Sequence, residues 1–390
     1  MPGRPDVVII GGGVVGSAVA YFLRRDGDCR VTVVERDPTY ARASSALSAS
    51  SIRQQFSCPV NIALSRFGIG FLRSVGEHLA VNGEAPAIGL REPGYLHLAG
   101  PAGVDVMQAN YRVQRTHDVA VALLDPAGLR ERFPWMEVAG VAAGSLGLAD
   151  EGWFDGPALM QAFRRKARAL GAQYLHAEAV GFERDETAIR AVRLAGGERL
   201  PCGAVVNAAG PYARAVAGFA GLRLPVEARK RSVFVLQCKE ALPGCPLVID
   251  TTGVWFRPEG DRFLAGWSPP EEDDPEELGL DVDHELFERV VWPALAARVP
   301  AFEAVRVSGA WAGHYEYNTF DHNALLGRMA EVPNLYFANG FSGHGMQQAA
   351  GAGRGISELI LHGQYRTIDL SDLDVTRVEA GRPLRELNII

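Results

Sequence analysis

Short β-branched runs alternate with amphipathic stretches over the first 35 positions of the chain. Val7-Val8-Ile9-Ile10 is apolar at every position, the pattern of a parallel strand buried on both faces. Residues 16–25 predict a helix and residues 30–35 a second buried strand. This strand–turn–helix–strand unit has the length of a mononucleotide-binding half. A small polar segment follows Pro38, running through Ser44, Ser45 and Ser51 to Arg53, and residues 61–79 predict a helix.

The pattern then changes. Residues 84–141 read as short strands and loops, including Gly94-Tyr-Leu-His-Leu98. A helix over 157–170 is expected to start at Pro157 with Asp155 as its cap. Val180, a hairpin at Ala195-Gly196-Gly197 and a strand at Ala204-Val-Val-Asn207 come next. A second β-rich block covers about 226–312, interrupted by an acidic loop at 271–277 that reads as solvated. Leu335-Tyr-Phe-Ala338 predicts a strand feeding a glycine turn and a helix to about Leu361. The two β-rich blocks are therefore inserted between pieces of one α/β domain. The expected fold is α/β, with a Rossmann-like dinucleotide-binding domain from residues 1–83, 142–224 and 325–390. A β-rich α+β substrate domain takes 84–141 and 225–324, so both domains are discontinuous.

Composition narrows the function. The 390 residues allow two or three domains, and 47% hydrophobic with 22% charged residues is ordinary for a globular protein. The net charge is −7 and there is no basic stripe, which argues against a nucleic-acid partner. Five scattered cysteines form no Cys-x-x-Cys pair, so neither a metal site nor a disulfide framework is indicated. No apolar run approaches the length of about 18 that a transmembrane helix needs. With no signal-peptide pattern at the N-terminus, the expected location is cytoplasmic.

Candidate chemistry sits in two glycine turns at opposite ends of the chain. Gly11-x-Gly13-x-x-Gly16 lies after a strand and opens a helix. There Gly11 permits the tight turn, Gly13 admits a pyrophosphate and Gly16 allows close helix–strand packing. Val15 belongs to the same turn. Glu35 closes the second strand, where a carboxylate accepts hydrogen bonds from a ribose and disfavours a 2′-phosphate; Arg36 follows it. The polar run 44–53 reads either as a surface loop or as a wrap for the pyrophosphate that delivers Arg53 towards the cofactor ring. Asn207-Ala208-Ala209-Gly210 reads as a close approach to the cofactor or as a tightly packed strand end. Gly343-His344-Gly345, continuing into Met346 and Gln347, opens the last helix. Its amides suit the partial negative charge at the N1–C2=O edge of a reduced flavin. His344 is open to three roles: catalysis, flavin contact or structural hydrogen bonding.

Together these residues resemble the D-amino-acid oxidase superfamily of FAD enzymes, which includes sarcosine oxidase, glycine oxidase and dimethylglycine dehydrogenase. A closer resemblance, to the FAD-dependent oxidoreductase domain-containing protein 1 family, covers nearly the whole chain. It runs through Gln54-Gln-Phe-Ser57, Asp150-Glu-Gly-Trp-Phe-Asp155, Pro225-Val-Glu-Ala-Arg-Lys-Arg231, the string from Ala310 to Asp321, and Asn388-Ile-Ile390. The resemblance implies non-covalent FAD and oxidation of a C–N bond in a small amine or amino acid, more probably N-substituted, by hydride transfer to flavin N5. The electron acceptor is then oxygen or a quinone-linked carrier. The rival implication is an assembly factor for a respiratory complex, with FAD mainly structural. Arg53 and Arg231 are the candidate carboxylate clamps, because a guanidinium binds carboxylate bidentately. Tyr315, Tyr317 and Trp255 are candidate pocket walls. Where monomeric sarcosine oxidases tether the flavin through a cysteine, this chain has His314. Where they carry an oxygen-activating lysine and a substrate-binding lysine, it has Leu264 and Gln347.

Overall fold

The computed structural model describes residues 6–387, so the string Asn388-Ile389-Ile390 lies outside the described residues. Six strands form the first sheet in the order Leu325–Arg328, Leu335–Asn339, Ala204–Asn207, Val7–Ile10, Val31–Glu35 and Gln173–His176. All neighbours are parallel except the outermost pair, Leu325–Arg328 with Leu335–Asn339. The unbroken apolar run at the N-terminus has a direct cause. Val7 and Ile9 pack with Ala18 and Phe22 on one face, while Val8 and Ile10 pack with Phe182 and Val192 on the other. A strand covered on both faces needs no polar alternation.

Two helices lie side by side on this sheet, Val14–Asp26 after the first glycine turn and Gly345–His362 after the second. Their contact is close because of small residues. A Cβ on Gly353 would stand 2.7 Å from the Cβ of Ala18 and 2.9 Å from its carbonyl carbon. Two turns far apart in sequence are thereby set next to each other, each at the start of a helix.

The second sheet has eight strands, ordered Arg306–Asn318, Val226–Gln237, Arg262–Trp267, Val254–Glu259, Leu247–Ile249, Tyr95–Ala99, Ala143–Gly147 and Val121–Leu124. Leu96, Leu98, Phe234, Val248 and Phe256 face a core shared with Phe287, Val291 and Leu295. Ala143–Gly147 belongs to this sheet, so the division placed after residue 141 falls too early.

Other expectations are corrected at the level of elements. The helix expected over 61–79 is two, Pro59–Arg73 and Val75–Leu79, broken at Ser74 (φ −102°, ψ 21°). The stretch read as strands and loops contains the helix Val104–Thr116, and the second block contains helical turns over 284–298. Asp155 caps Gly156–Ala169 as expected, its side chain accepting from the Ala158 amide at 2.8 Å. Among the described residues no helix is long and apolar enough to cross a membrane.

Candidate active site

One cavity of about 860 Å³ is lined by both sheets. It collects Gly11, Gly13 and Val15, Glu35 and Arg36, Ser44, Ser45, Ser51 and Arg53, and Ala208 and Gly210. Arg231, His314 and Tyr317 line it from the eight-stranded sheet, and residues 343–347 complete it. The cavity thus lies outside the carboxyl ends of the parallel strands, where such sheets bind their ligands.

The first turn is shaped by a backbone that only glycine suits. Gly11 has φ +102°, and a Cβ there would meet the Ala208 carbonyl oxygen at 2.2 Å. Gly16 does not line the cavity; a Cβ on it would strike the Gly11 carbonyl oxygen at 2.0 Å, so it serves helix–strand packing. At Gly13, the N-cap of the first helix, there is no side-chain cap, and only Ser45 Oγ comes within 4 Å of an added Cβ, at 3.1 Å. Ser45 Oγ accepts from the Val14 amide at 2.9 Å. Ser44 Oγ is buried with no partner. Glu35 accepts from the Gly12 amide at 2.8 Å and from the Asp37 amide at 2.9 Å, which fixes its carboxylate at the cavity edge. Arg36 stacks on Tyr212, its Cζ 3.6 Å from the ring centroid. An uncapped helix N-terminus, an unpartnered hydroxyl and a fixed carboxylate suit a pyrophosphate and a ribose.

The second turn holds Arg53. The Arg53 backbone amide donates to Gln347 Oε1 at 2.8 Å, and its guanidinium donates to His344 Nε2 at 3.0 Å. A guanidinium has no lone pair to offer, so Nε2 is the acceptor. The His344 proton is then on Nδ1, towards the Phe341 backbone. Burial, reinforced by the Arg53 charge, pulls His344 down to about 3. The ring is therefore neutral, and its lone pair is committed to positioning Arg53. Gln347 Oε1 also accepts from Ser65 Oγ at 3.1 Å, which makes Gln347 a staple between helices. Gly343 (φ +98°) accommodates Tyr315, whose ring lies 2.6 Å from where a Cβ would be.

Three expected positions turn out differently. Arg231 lines the cavity, but both its terminal nitrogens are bound by Asp274 at 2.6 Å, and both side chains are buried. Its fork is already filled by a carboxylate. Val180 does not line the cavity; it is 43% exposed on Ala179–Arg184, in a separate three-stranded sheet. Leu264 does not line it either, being buried opposite Arg257 and Val235. His314 is a buried ring lowered mainly by burial, and Tyr317 sits against His322 at 4.7 Å.

Several cavity residues escaped sequence reading. Tyr95 and His97 alternate with Leu96 and Leu98, a period-two signal that placed them on the polar face of a strand. His97 is pulled down to about 3 by burial and then by Arg53. Glu316 is buried beside Gly340 and pushed up to about 8 by burial. Glu386 reaches the cavity from the far end of the chain and accepts from Ser57 and Asn61.

The comparisons agree with this geometry. The family model described as FAD dependent oxidoreductase matches residues 6–359. The FAD-dependent oxidoreductase domain-containing protein 1 of Xenopus laevis is 44% identical, over 100% of this chain and 85% of the relative. The structure of L-proline dehydrogenase from P. horikoshii superposes with a TM-score of 0.86 at 26% identity, covering 98% of this chain and 100% of that one. Glycine oxidase from Geobacillus kaustophilus gives 0.82 at 24% identity, over 96% and 99%. With both glycine turns opening onto one cavity, the chain belongs to the FAD dependent oxidoreductase family, in the branch of the FAD-dependent oxidoreductase domain-containing protein 1 relatives, and FAD is its cofactor.

Proposed function

We propose that the chain oxidises the C–N bond of a small amino acid, N-substituted rather than primary, whose carboxylate is bound by Arg53. The observation that carries this reading is Arg53 itself. It lines the cavity beside the second glycine turn, and among the described residues it has no ion-pair partner. Its Nε is buried with no hydrogen-bond partner. A buried cation with unfilled donors is costly to keep unless a ligand completes it. A carboxylate matches the guanidinium fork. Arg231, the other candidate, already has Asp274. Family members named for L-proline, glycine and sarcosine support an amino-acid substrate.

The uncapped turn at Gly13, Ser44, Ser45 and Glu35 would hold the dinucleotide end of FAD, and the turn at 343–347 its ring. When bound, FAD supplies the oxidising power by taking the substrate's hydride at N5. The chain's own part is orientation. His344 and Gln347 fix Arg53 at two points, so the carboxylate it binds has one direction. His344 holds its proton on Nδ1, away from the guanidinium, and is not a base at neutral pH. None is required when the amine binds in its neutral form.

Anaerobic mixing of the FAD-loaded protein with a panel of N-alkyl amino acids and the matching decarboxylated amines tests this. At least one acid is expected to bleach the flavin while its amine counterpart does not. Bleaching by the amines alone, or by none of the panel, defeats the proposal.

A further inference from the structure

We propose that the face of the eight-stranded sheet beyond Arg53 is a side-chain subsite, floored by Trp255 lying flat on Gly266, for an uncharged ring-bearing or branched group on the substrate. This rests on the reading of Arg53 as the carboxylate clamp and names the kind of substrate that clamp receives.

The register of five strands puts His97, Ile249, Trp255, Gly266 and Val233 in one cross-strand row. Residues directly opposite one another in a sheet share a face. Four of the five line the cavity, and the fifth, Gly266, lies under the indole. A Cβ on Gly266 would stand 2.8 Å from Trp255 Cζ2 and 2.9 Å from both Cε2 and Nε1. The indole therefore lies across the glycine rather than standing up from the sheet, and presents its outer face to the cavity.

The tryptophan N–H groups give an independent sign. Trp135, Trp267, Trp292 and Trp311 each donate to a backbone carbonyl, at 3.0, 3.1, 3.2 and 2.8 Å. Trp255 makes no such bond among the described residues, although it borders the cavity. Indole N–H groups that are shielded from water normally find a partner. The row also carries no charge at neutral pH. Ile249 and Val233 are aliphatic, and burial together with Arg53 keeps the His97 ring neutral. A flat aromatic and aliphatic floor favours an apolar group and penalises a second carboxylate or an ammonium, which would be desolvated without a counter-charge.

Inert carboxylates read this subsite without any turnover. Acetate needs only the clamp, whereas benzoate must also lay a ring over Trp255. Binding of each to the FAD-loaded protein is followed by the change in the flavin spectrum. Wild type is expected to bind benzoate at least tenfold tighter than acetate. Gly266→Ala forces the indole up into the cavity and should weaken benzoate at least tenfold while acetate stays within about threefold. Trp255→Ala, which removes the floor from an open cavity wall, should show the same selective loss. Equal weakening of both acids in the two variants, or no change in either, overturns the subsite. Arg53→Gln separates the two readings, because it must weaken both acids if the clamp is right. If it weakens neither, the clamp has failed, and the result at Gly266 is not the cause.

Discussion

The Arg53 guanidinium and His344 Nε2 are 3.0 Å apart, with the arginine donating. The one titratable group on the second glycine turn is thereby spent on orientation. His344→Leu removes the acceptor, and KM for the carboxylate substrate should rise about tenfold, the cost of a charge-assisted bond. His344→Gln, which can still accept, should recover most of that loss. Because the ring is held down to about 3, neither variant should alter the kinetic pH profile between pH 5 and 8. A limb near 6.5 that disappears on substitution would show that His344 titrates in catalysis.

Arg53→Gln and Arg231→Gln should differ in kind. Loss of Arg53 should raise KM roughly 10- to 150-fold, from about 1.5–3 kcal/mol of lost charge-assisted binding. Loss of Arg231 leaves Asp274 buried without its partner, which costs about 3 kcal/mol or more of stability. Thermal unfolding and steady-state kinetics of the two variants together check this. A sharp KM increase in a fully stable Arg231→Gln protein would restore Arg231 as a clamp.

Gly13→Val should yield folded protein with little FAD. The space beside Gly13 is open apart from Ser45 Oγ, so a side chain there obstructs the pyrophosphate and not the fold. Gly11→Ala should instead damage folding, since its Cβ would collide with the backbone at Ala208 and the left-handed φ would be strained. The ratio of absorbance at 450 nm to that at 280 nm, read beside the circular dichroism spectrum, distinguishes the two. Normal flavin content in Gly13→Val contradicts the placement of the pyrophosphate.

FAD is expected to be held non-covalently. No cysteine lines the cavity among the described residues, and His314 faces the backbone at Leu278 and Gly279. Acid precipitation should release the flavin into the supernatant. A yellow pellet would mean a covalent tether, with His314 the first residue to test by peptide mapping.

Stability should decline on the alkaline side through Glu316. An ordinary glutamate titrates at 4.5, whereas burial holds Glu316 up to about 8. Between those values the folded protein keeps a proton that the unfolded chain has lost, so stability falls as pH rises across the window. Glu151 contributes with the same sign, being pushed up to about 7 by burial. Glu316→Gln removes only the first contribution. The Tm of the variant minus that of wild type should therefore grow from pH 5 to pH 8.5, and a constant difference would show that Glu316 ionises normally.

The sequence by itself determined the parts whose signals are local. Four consecutive β-branched or apolar residues, three glycines at fixed spacing and a carboxylate closing the next strand are backbone and helix-terminus requirements, and they fixed the cofactor fold and both glycine turns. Asp155 was legible for the same reason, since a cap acts within one turn. Elements whose buried face is polar were not legible. In Val104–Thr116 the buried residues are Met107, Asn110 and Gln114, and Asn110 donates to the Leu387 carbonyl from the other end of the chain. That partner exists only after folding, so the helix carries no apolar stripe. Tertiary structure likewise decided between Arg53 and Arg231. The two are alike as residues, and only the placement of Asp274 against one and His344 against the other leaves a single guanidinium free for a ligand. The flat Trp255 has the same origin, because it depends on which residue of a neighbouring strand stands opposite, and register is set by the packing of the whole sheet.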